Sequence, residues 1–397
     1  MVAVFAPELG EAADMDSFRK RRLFTPGPTP LLPQAVLQPL IAPIHHRTAE
    51  FKAVFQNVRS KLQQVFQTRN EILLLSCSGS GAMEAAVTNL LSPGERAIVA
   101  VAGRFGERWA EIAEAFGIFT EIVRVPYGES VSAAQIAAAL ERAPDAGAVF
   151  VQATETSTGA MMDLGKISEV LKSRTNAALV VDAITGLGTT PIETDAWGLD
   201  IVVGGSQKAF MVPPGVAMLS VSEKAWSMIE RSRRPRYYFD LLAERGGQKE
   251  GLSHFTPSIA VIQGLQVALE YSLAAGVEGL IGNAALQAGA TRAAVRAWGM
   301  SVFPQHPSNA LTVFAPGSGI DPARVTAMMR DRFGAEISGG QGRLKGLILR
   351  IGHLGYSDFL ETVGMIGCLE LALKQAGVSL AAGAGPKAAL EFYESSV

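Results

Sequence analysis

Between about residues 72 and 220, short Val/Ile/Leu-rich runs alternate with longer segments of helical period, and this alternation constrains the fold more than any other feature of the chain. Strands buried on both faces read as continuous apolar runs, and parallel strands need a crossover long enough to hold a helix. The pattern therefore predicts an α/β fold, a mostly parallel sheet covered by helices. Strands are expected at Ile72–Leu75, Ala97–Val101, Glu121–Val125, Ala148–Gln152, Ala178–Val181, Ile201–Val203 and Val216–Ser220. Helices are expected at Ala82–Leu91, Arg104–Phe116, Ala133–Arg142 and Lys166–Lys172.

After Pro257 the texture changes to long Ala/Leu-rich helices, Ile259–Leu273 and Ala284–Trp298. Strands Ala310–Ala315 and Leu347–Gly352 follow, separated by a helix Pro322–Phe333, with a final helix Asp358–Gln375. That succession predicts a smaller C-terminal α+β domain. The expected division is an N-terminal arm over 1–22, a large domain over 23–275 and a small domain over 276–397.

With 397 residues and 48% hydrophobic content the chain can bury a large core, and a net charge of -2 gives no broad basic field for nucleic acid. The basic run Arg231 to Arg236 is local and reads as a solvated or interface segment. The two cysteines, Cys77 and Cys368, have no metal-ligand spacing, which argues against a disulfide scaffold or a zinc site. No window approaches the roughly 20 apolar residues of a membrane helix, so no membrane partner is expected and the cytoplasm is the expected location.

Ligands of open parallel sheets bind beyond the carboxyl ends of the strands, and three turns there are unusual. Ser76-Cys77-Ser78-Gly79-Ser80-Gly81 opens a helix with small hydroxyl residues and glycines, a cradle suited to phosphate. Taken alone it reads first as a capped helix with a tight turn, and it fits neither the Walker A nor the dinucleotide fingerprint. The strand Ala178–Val181 delivers a carboxylate, Asp182, which alone reads as a turn or cap residue. Lys208 follows Gly204-Gly205-Ser206-Gln207 in a charge-poor loop, where a desolvated amine becomes a nucleophile for a carbonyl. An aldehyde, a ring nitrogen and a phosphate on one ligand would satisfy all three turns, and pyridoxal 5′-phosphate has them.

These residues resemble a class V aminotransferase of PLP fold type I, in the alanine/serine–glyoxylate group. The resemblance runs from Phe24-Thr-Pro-Gly-Pro-Thr29 through Glu155-Thr-Ser-Thr-Gly159, Gly205-Ser-Gln-Lys208 and Pro213-Pro-Gly215 to Leu349-Arg-Ile-Gly352. It implies a large domain with a seven-stranded, mostly parallel sheet and pyridoxal 5′-phosphate as cofactor. Lys208 would carry the cofactor as a Schiff base and serve as the base, with Asp182 at the pyridine nitrogen. Ser78, Gly79, Ser80 and Gln207 would hold the phosphate, Thr156 the phenolic oxygen, and Phe105 would stack on the ring where relatives often have Trp. Thr256 would reach the phosphate of a partner subunit in a homodimer, and Ser253 stands where a tyrosine is common. Arg350, with the backbone at Gly27, would grip the substrate carboxylate, and His45-His46-Arg47 would line the entrance.

The implied activity is a ping-pong transfer from a small amino acid, alanine or serine, to glyoxylate. Arg350 is the one arginine assigned to a substrate carboxylate, which favours monocarboxylic donors. The alternatives are another class V enzyme, a 2-aminoethylphosphonate transaminase or a lyase, and a non-catalytic partner subunit of a redox complex. A cysteine desulfurase is disfavoured, because Gly334 to Arg343 contains no cysteine.

Overall fold

A computed structural model describes residues 19–396. The expected arm over 1–22 lies, for its first eighteen residues, outside the described residues. The main sheet contains β1 (Glu71–Leu75), β2 (Arg96–Val101), β3 (Phe119–Arg124), β4 (Ala148–Gln152), β5 (Ala178–Asp182), β6 (Ile201–Gly205) and β7 (Ala217–Val221). Its seven strands run in the spatial order β1-β7-β6-β5-β4-β2-β3. Pairings among β3, β2, β4, β5 and β6 are parallel, and β7 is antiparallel to both β6 and β1. Every residue of β4, β5, β6 and β7 is buried, which is why these runs are apolar throughout rather than alternating.

The two faces of this sheet carry separate cores. One is built on Phe51, Phe55, Val58, Leu62 and Phe66 from the helix Ala49–Val65 and its end. The other is built on Met83, Trp109, Phe150 and Trp226. The helices Pro33–Ile41, Ala49–Val65, Glu223–Arg231 and Leu241–Lys249 were not among the sequence expectations. Charged residues dilute the apolar positions of the last three, and Pro33–Ile41 carries an internal proline that breaks the helical signal.

A third core gathers Val295, Trp298, Phe314, Met329, Leu349, Ile351, Ile366 and Leu369 around a small sheet. This sheet holds β8 (Leu311–Phe314), β9 (Ser338–Gly339) and β10 (Leu349–Gly352), with β10 in the centre and antiparallel to both neighbours. Phe24 belongs to the same core, and Arg22–Leu23 pairs in parallel with Ala335–Glu336, so the stretch entering the main body is first fastened to this C-terminal part. The helix Phe359–Gln375 is not the last, as the sequence reading had it. A further helix, Ala384–Ser396, packs against the helix Gly276–Ala297. Its composition, AGPKAALEFYESS, is too poor in large apolar residues to show a strong stripe.

Among the described residues no single helix is long and apolar enough to cross a membrane.

Candidate active site

Lys208 sits in a loop whose conformation is fixed at both ends. Ser206 exchanges backbone and side-chain hydrogen bonds with Val216 and donates from Oγ to the Pro213 carbonyl at 2.7 Å. On the other side the buried Thr29 hydroxyl donates to the Lys208 carbonyl at 2.8 Å, and Met211 N–H donates to that same carbonyl. With its backbone held this way, the side chain of Lys208 is half-buried and Nζ donates to the carbonyl of Pro26 at 2.5 Å. Gly27, at φ +144°, comes so close that a Cβ there would overlap Nζ. Burial lowers the lysine's pKa to about 8, with Asp182 opposing the shift and Arg350 adding to it.

Asp182 ends β5, paired with Gln152 on β4 and Val203 on β6, and its Oδ1 accepts from Ile184 N–H at 2.9 Å. Burial pushes its carboxyl up to about 6, and Glu155 adds to the rise. Ile184 N–H, Lys208 and Arg108 pull the other way. A carboxylate in this position has one hydrogen bond and little solvent, so its negative charge calls for a cationic or N–H partner.

The helix Gly79–Leu90 starts beside this carboxylate, because Ile184 fills the space where a Cβ on Gly79 would stand. Helices beginning at Thr48, Ser132, Asp163, Ser222, Asp240, Asp321 and Asp358 are capped by their own N-cap side chains. Ser78 makes no such bond, so this helix presents a hydroxyl and its first amides unclaimed. Gln207 carries a buried Oε1 with no hydrogen-bond partner among the described residues, next to Gly205 and Ile184. An uncapped helix start, with a free hydroxyl and free first amides, beside a desolvated lysine fits a phosphorylated aldehyde cofactor.

Phe105 lies at the start of the helix Arg104–Ala115, and the buried Glu155 holds it there. The Glu155 carboxylate accepts from the amides of Phe105 (3.1 Å) and Gly106 (3.0 Å) and from Ser157 Oγ (2.6 Å). Burial raises its pKa, and these donors offset part of the rise. Glu155 is a site residue that the sequence pattern does not assign, although it stands directly before Thr156. The available signal is an acid three residues beyond a buried strand, a weaker form of the one that marks Asp182.

Arg350, buried on β10, donates from Nε to the Gly339 carbonyl at 2.8 Å and from Nη1 to the Thr156 carbonyl at 3.0 Å. Among the described residues no carboxylate lies within ion-pair distance of it, so the guanidinium is aimed by carbonyls and not spent on a structural acid. Burial lowers its pKa to about 10. Thr156 Oγ1 donates to Thr185 Oγ1 at 2.8 Å.

The structure thus gathers Gly27, Ser78, Gly79, Ser80, Phe105, Thr156, Asp182, Gln207, Lys208 and Arg350 at one edge of the sheet. Thr256 is exposed, and its segment is tied to the Ser76 turn by Ser258 N–H donating to Ser76 Oγ at 2.9 Å. Ser253 is engaged within its own chain, donating to Glu244. His45 and Arg47 are exposed, with the rings of His45 and His46 4.5 Å apart.

A desolvated lysine and a buried aspartate at the carboxyl edge of this sheet fit a pyridoxal-phosphate enzyme of fold type I. The chain matches the family model "Aminotransferase class-V" over residues 40–347, and it belongs to that family. It is 38% identical to the soluble hydrogenase, small subunit, of Synechococcus sp. strain PCC 6716, covering 93% of this chain and 97% of that one. It is 30% identical to the L-aspartate–glyoxylate aminotransferase of Paracoccus denitrificans, covering 94% and 96%. Among solved structures, an aspartate aminotransferase of subgroup IV from Thermus thermophilus matches with a TM-score of 0.83 and 35% identity, covering 89% of this chain and 99% of that chain. An alanine–glyoxylate aminotransferase from Nostoc sp. matches with a TM-score of 0.84 and 28% identity, covering 90% and 95%. The chain is a PLP-dependent aminotransferase, and pyridoxal 5′-phosphate is its cofactor.

Proposed function

We propose that this enzyme moves the amino group of a small amino acid, alanine or serine, to glyoxylate in two half-reactions of a ping-pong cycle. The observation that carries the reading is the Lys208 amine, lowered to about 8 by burial and within electrostatic reach of Asp182 and of Arg350, which has no carboxylate at ion-pair distance among the described residues. When bound, the cofactor supplies an electron sink that makes the substrate's α-proton labile. Lys208 would hold it covalently through Nζ and then carry the α-proton between substrate and cofactor. Asp182 would keep a proton on the ring nitrogen, and a carboxyl at about 6 is ionised at neutral pH for that task. Ser78, Gly79, Ser80 and Gln207 would bind the phosphate, Thr156 the phenolic oxygen, and Phe105 would cover one face of the ring. The Arg350 fork, with the backbone at Gly27, would orient the substrate carboxylate so that its Cα–H faces Lys208.

The relatives named for glyoxylate support that acceptor. Two of the similar proteins are named for aspartate, which favours a second reading in which a dicarboxylic donor is used. The Synechococcus relative's name raises a third, partnership in a redox complex.

The homodimer, with Thr256 serving the partner's phosphate, is part of the same proposal. Exposed Leu37, Leu40 and Ile41 on the helix Pro33–Ile41, with exposed Tyr237 and Tyr238, form apolar surface that a second copy would cover. We also keep the domain boundary near residue 275, where the chain bends by 83° between Ile259–Leu273 and Gly276–Ala297. The free thiols Cys77 and Cys368 suit the reducing cytoplasm.

The test is the visible absorption of the holoenzyme with L-alanine, L-serine or L-aspartate, followed by glyoxylate. A band that falls with alanine or serine and returns with glyoxylate supports the proposal. A response to aspartate alone selects the second reading, and no response to any donor removes the transaminase assignment for these substrates.

A further inference from the structure

Arg108 lies three residues beyond Phe105 on the helix Arg104–Ala115, so the two side chains rise from one face of that helix. Its guanidinium carbon stands 4.8 Å from the centroid of the Phe105 ring. From the same group Nη1 reaches across to the neighbouring helix Gly79–Leu90 and donates to Ser80 Oγ at 3.1 Å. The three acids on its own helix are occupied elsewhere: Glu107 pairs with Arg124, Glu111 pairs with Arg104, and Glu114 accepts from the Thr120 hydroxyl. The charge of Arg108 is therefore left to act inside the site, where it bears on Asp182.

We propose that Arg108 is a positioning residue for the cofactor, one guanidinium that spans two helix starts and fixes Ser80 and Phe105 relative to each other. This rests on the roles proposed above for those two residues. Ser80 belongs to the phosphate cradle and Phe105 to the ring face, so their separation must match the span from phosphate to pyridine. A flat guanidinium can lie on an aromatic face and donate from its edge at once, and a lysine ammonium cannot do both. Stacking leaves the N–H groups of the rim free, and one of them is the donor to Ser80. The hydroxyl thus receives a hydrogen bond from Arg108 and keeps its own proton for an anion.

The experiment is titration of the apoenzyme with pyridoxal 5′-phosphate, arranged as double-mutant cycles. Arg108→Met is expected to weaken binding about tenfold, the loss of one charge-assisted hydrogen bond. In a Ser80→Ala background the same change is expected to cost about threefold or less, because its partner is gone, and a Phe105→Ala background should shrink it likewise. A role confined to general stability would give the same loss in every background. An undiminished loss in both backgrounds, or wild-type affinity in Arg108→Met, overturns the proposal. Should melting of the apoenzyme show that Arg108→Met does not fold, the cycle is run with Arg108→Lys, which keeps the charge and loses the fork. Wild-type titration separately reports the cofactor assignment, so the two failures are told apart.

Discussion

The Nζ of Lys208 occupies the place that a side chain on Gly27 would need. The glycine is required twice over, by its φ of +144° and by the lysine's reach to the Pro26 carbonyl. Gly27→Ala is therefore expected to leave the fold standing and displace the amine. Cofactor absorbance in the visible should be lost or shifted and kcat should fall by about 10² or more, since a misplacement of about 1 Å can cost that much. A variant with wild-type spectrum and kcat would show that the contact does not matter.

Lys208 and Asp182 give the apoenzyme opposite pH signatures. The lysine binds its proton less tightly folded than unfolded, so its burial cost is in force below about pH 8 and is relieved as pH rises from about 8 toward 10.5. The aspartate binds its proton more tightly folded, so its contribution is present below about pH 3.8 and is lost as pH rises through about 6. Asp182→Asn keeps the acceptor for Ile184 N–H and removes the buried charge. Its apoenzyme is expected to melt about 2 °C higher than wild type at pH 7 to 8, a gain that disappears near pH 4, while activity falls by at least about 10². Equal melting temperatures across that range would contradict this account.

For Arg350, charge is not sufficient. The Gly339 and Thr156 carbonyls hold the guanidinium by two different nitrogens, and a lysine could satisfy neither geometry while gripping a carboxylate. Arg350→Lys is expected to lower kcat/KM for the amino donor by about 10², chiefly through KM, with cofactor affinity nearly unchanged. Steady-state kinetics beside a cofactor titration separates this from general damage.

Glu155 is the most exacting buried acid in the site. Truncation to Ala would orphan the amides of Phe105 and Gly106 together with the Ser157 hydroxyl, costing on the order of 3 kcal/mol. Glu155→Gln retains one acceptor oxygen and should cost less than half as much. Denaturant unfolding of both variants measures the difference, and a ranking with Gln worse than Ala would refute the hydrogen-bond account.

The parts of this molecule that announce themselves in sequence are those whose local pattern and tertiary environment agree. Ala148–Gln152 is buried on both sides and reads as a buried strand, and Ala133–Arg142 carries its own capping box at Ser132 and Gln135. Lys208 and Asp182 were legible because a charge at the end of an apolar run is rare. Glu155 was quoted but not assigned, since its partners are backbone amides fifty residues away, and amides leave no trace in a sequence. Arg108 was hidden by resembling an ordinary helix-surface cation until its ring and hydroxyl partners were placed. The helix Ala384–Ser396 lacked a strong stripe, and contact with another helix defines it.

The stretch Arg22–Thr29 is hydrogen-bonded to the small sheet and the segment Gly334 to Glu336 at one end and to the Lys208 loop at the other. Arg22 and Phe24 bond to Gly334 and Glu336, and Gly352 N–H donates to Phe24. Only two residues later Pro26 accepts from Lys208. This is a short tether with no slack. The position of the Pro26 carbonyl, and with it the solvation of the free amine, is thereby set from the C-terminal part of the chain and not by the loop that carries the lysine.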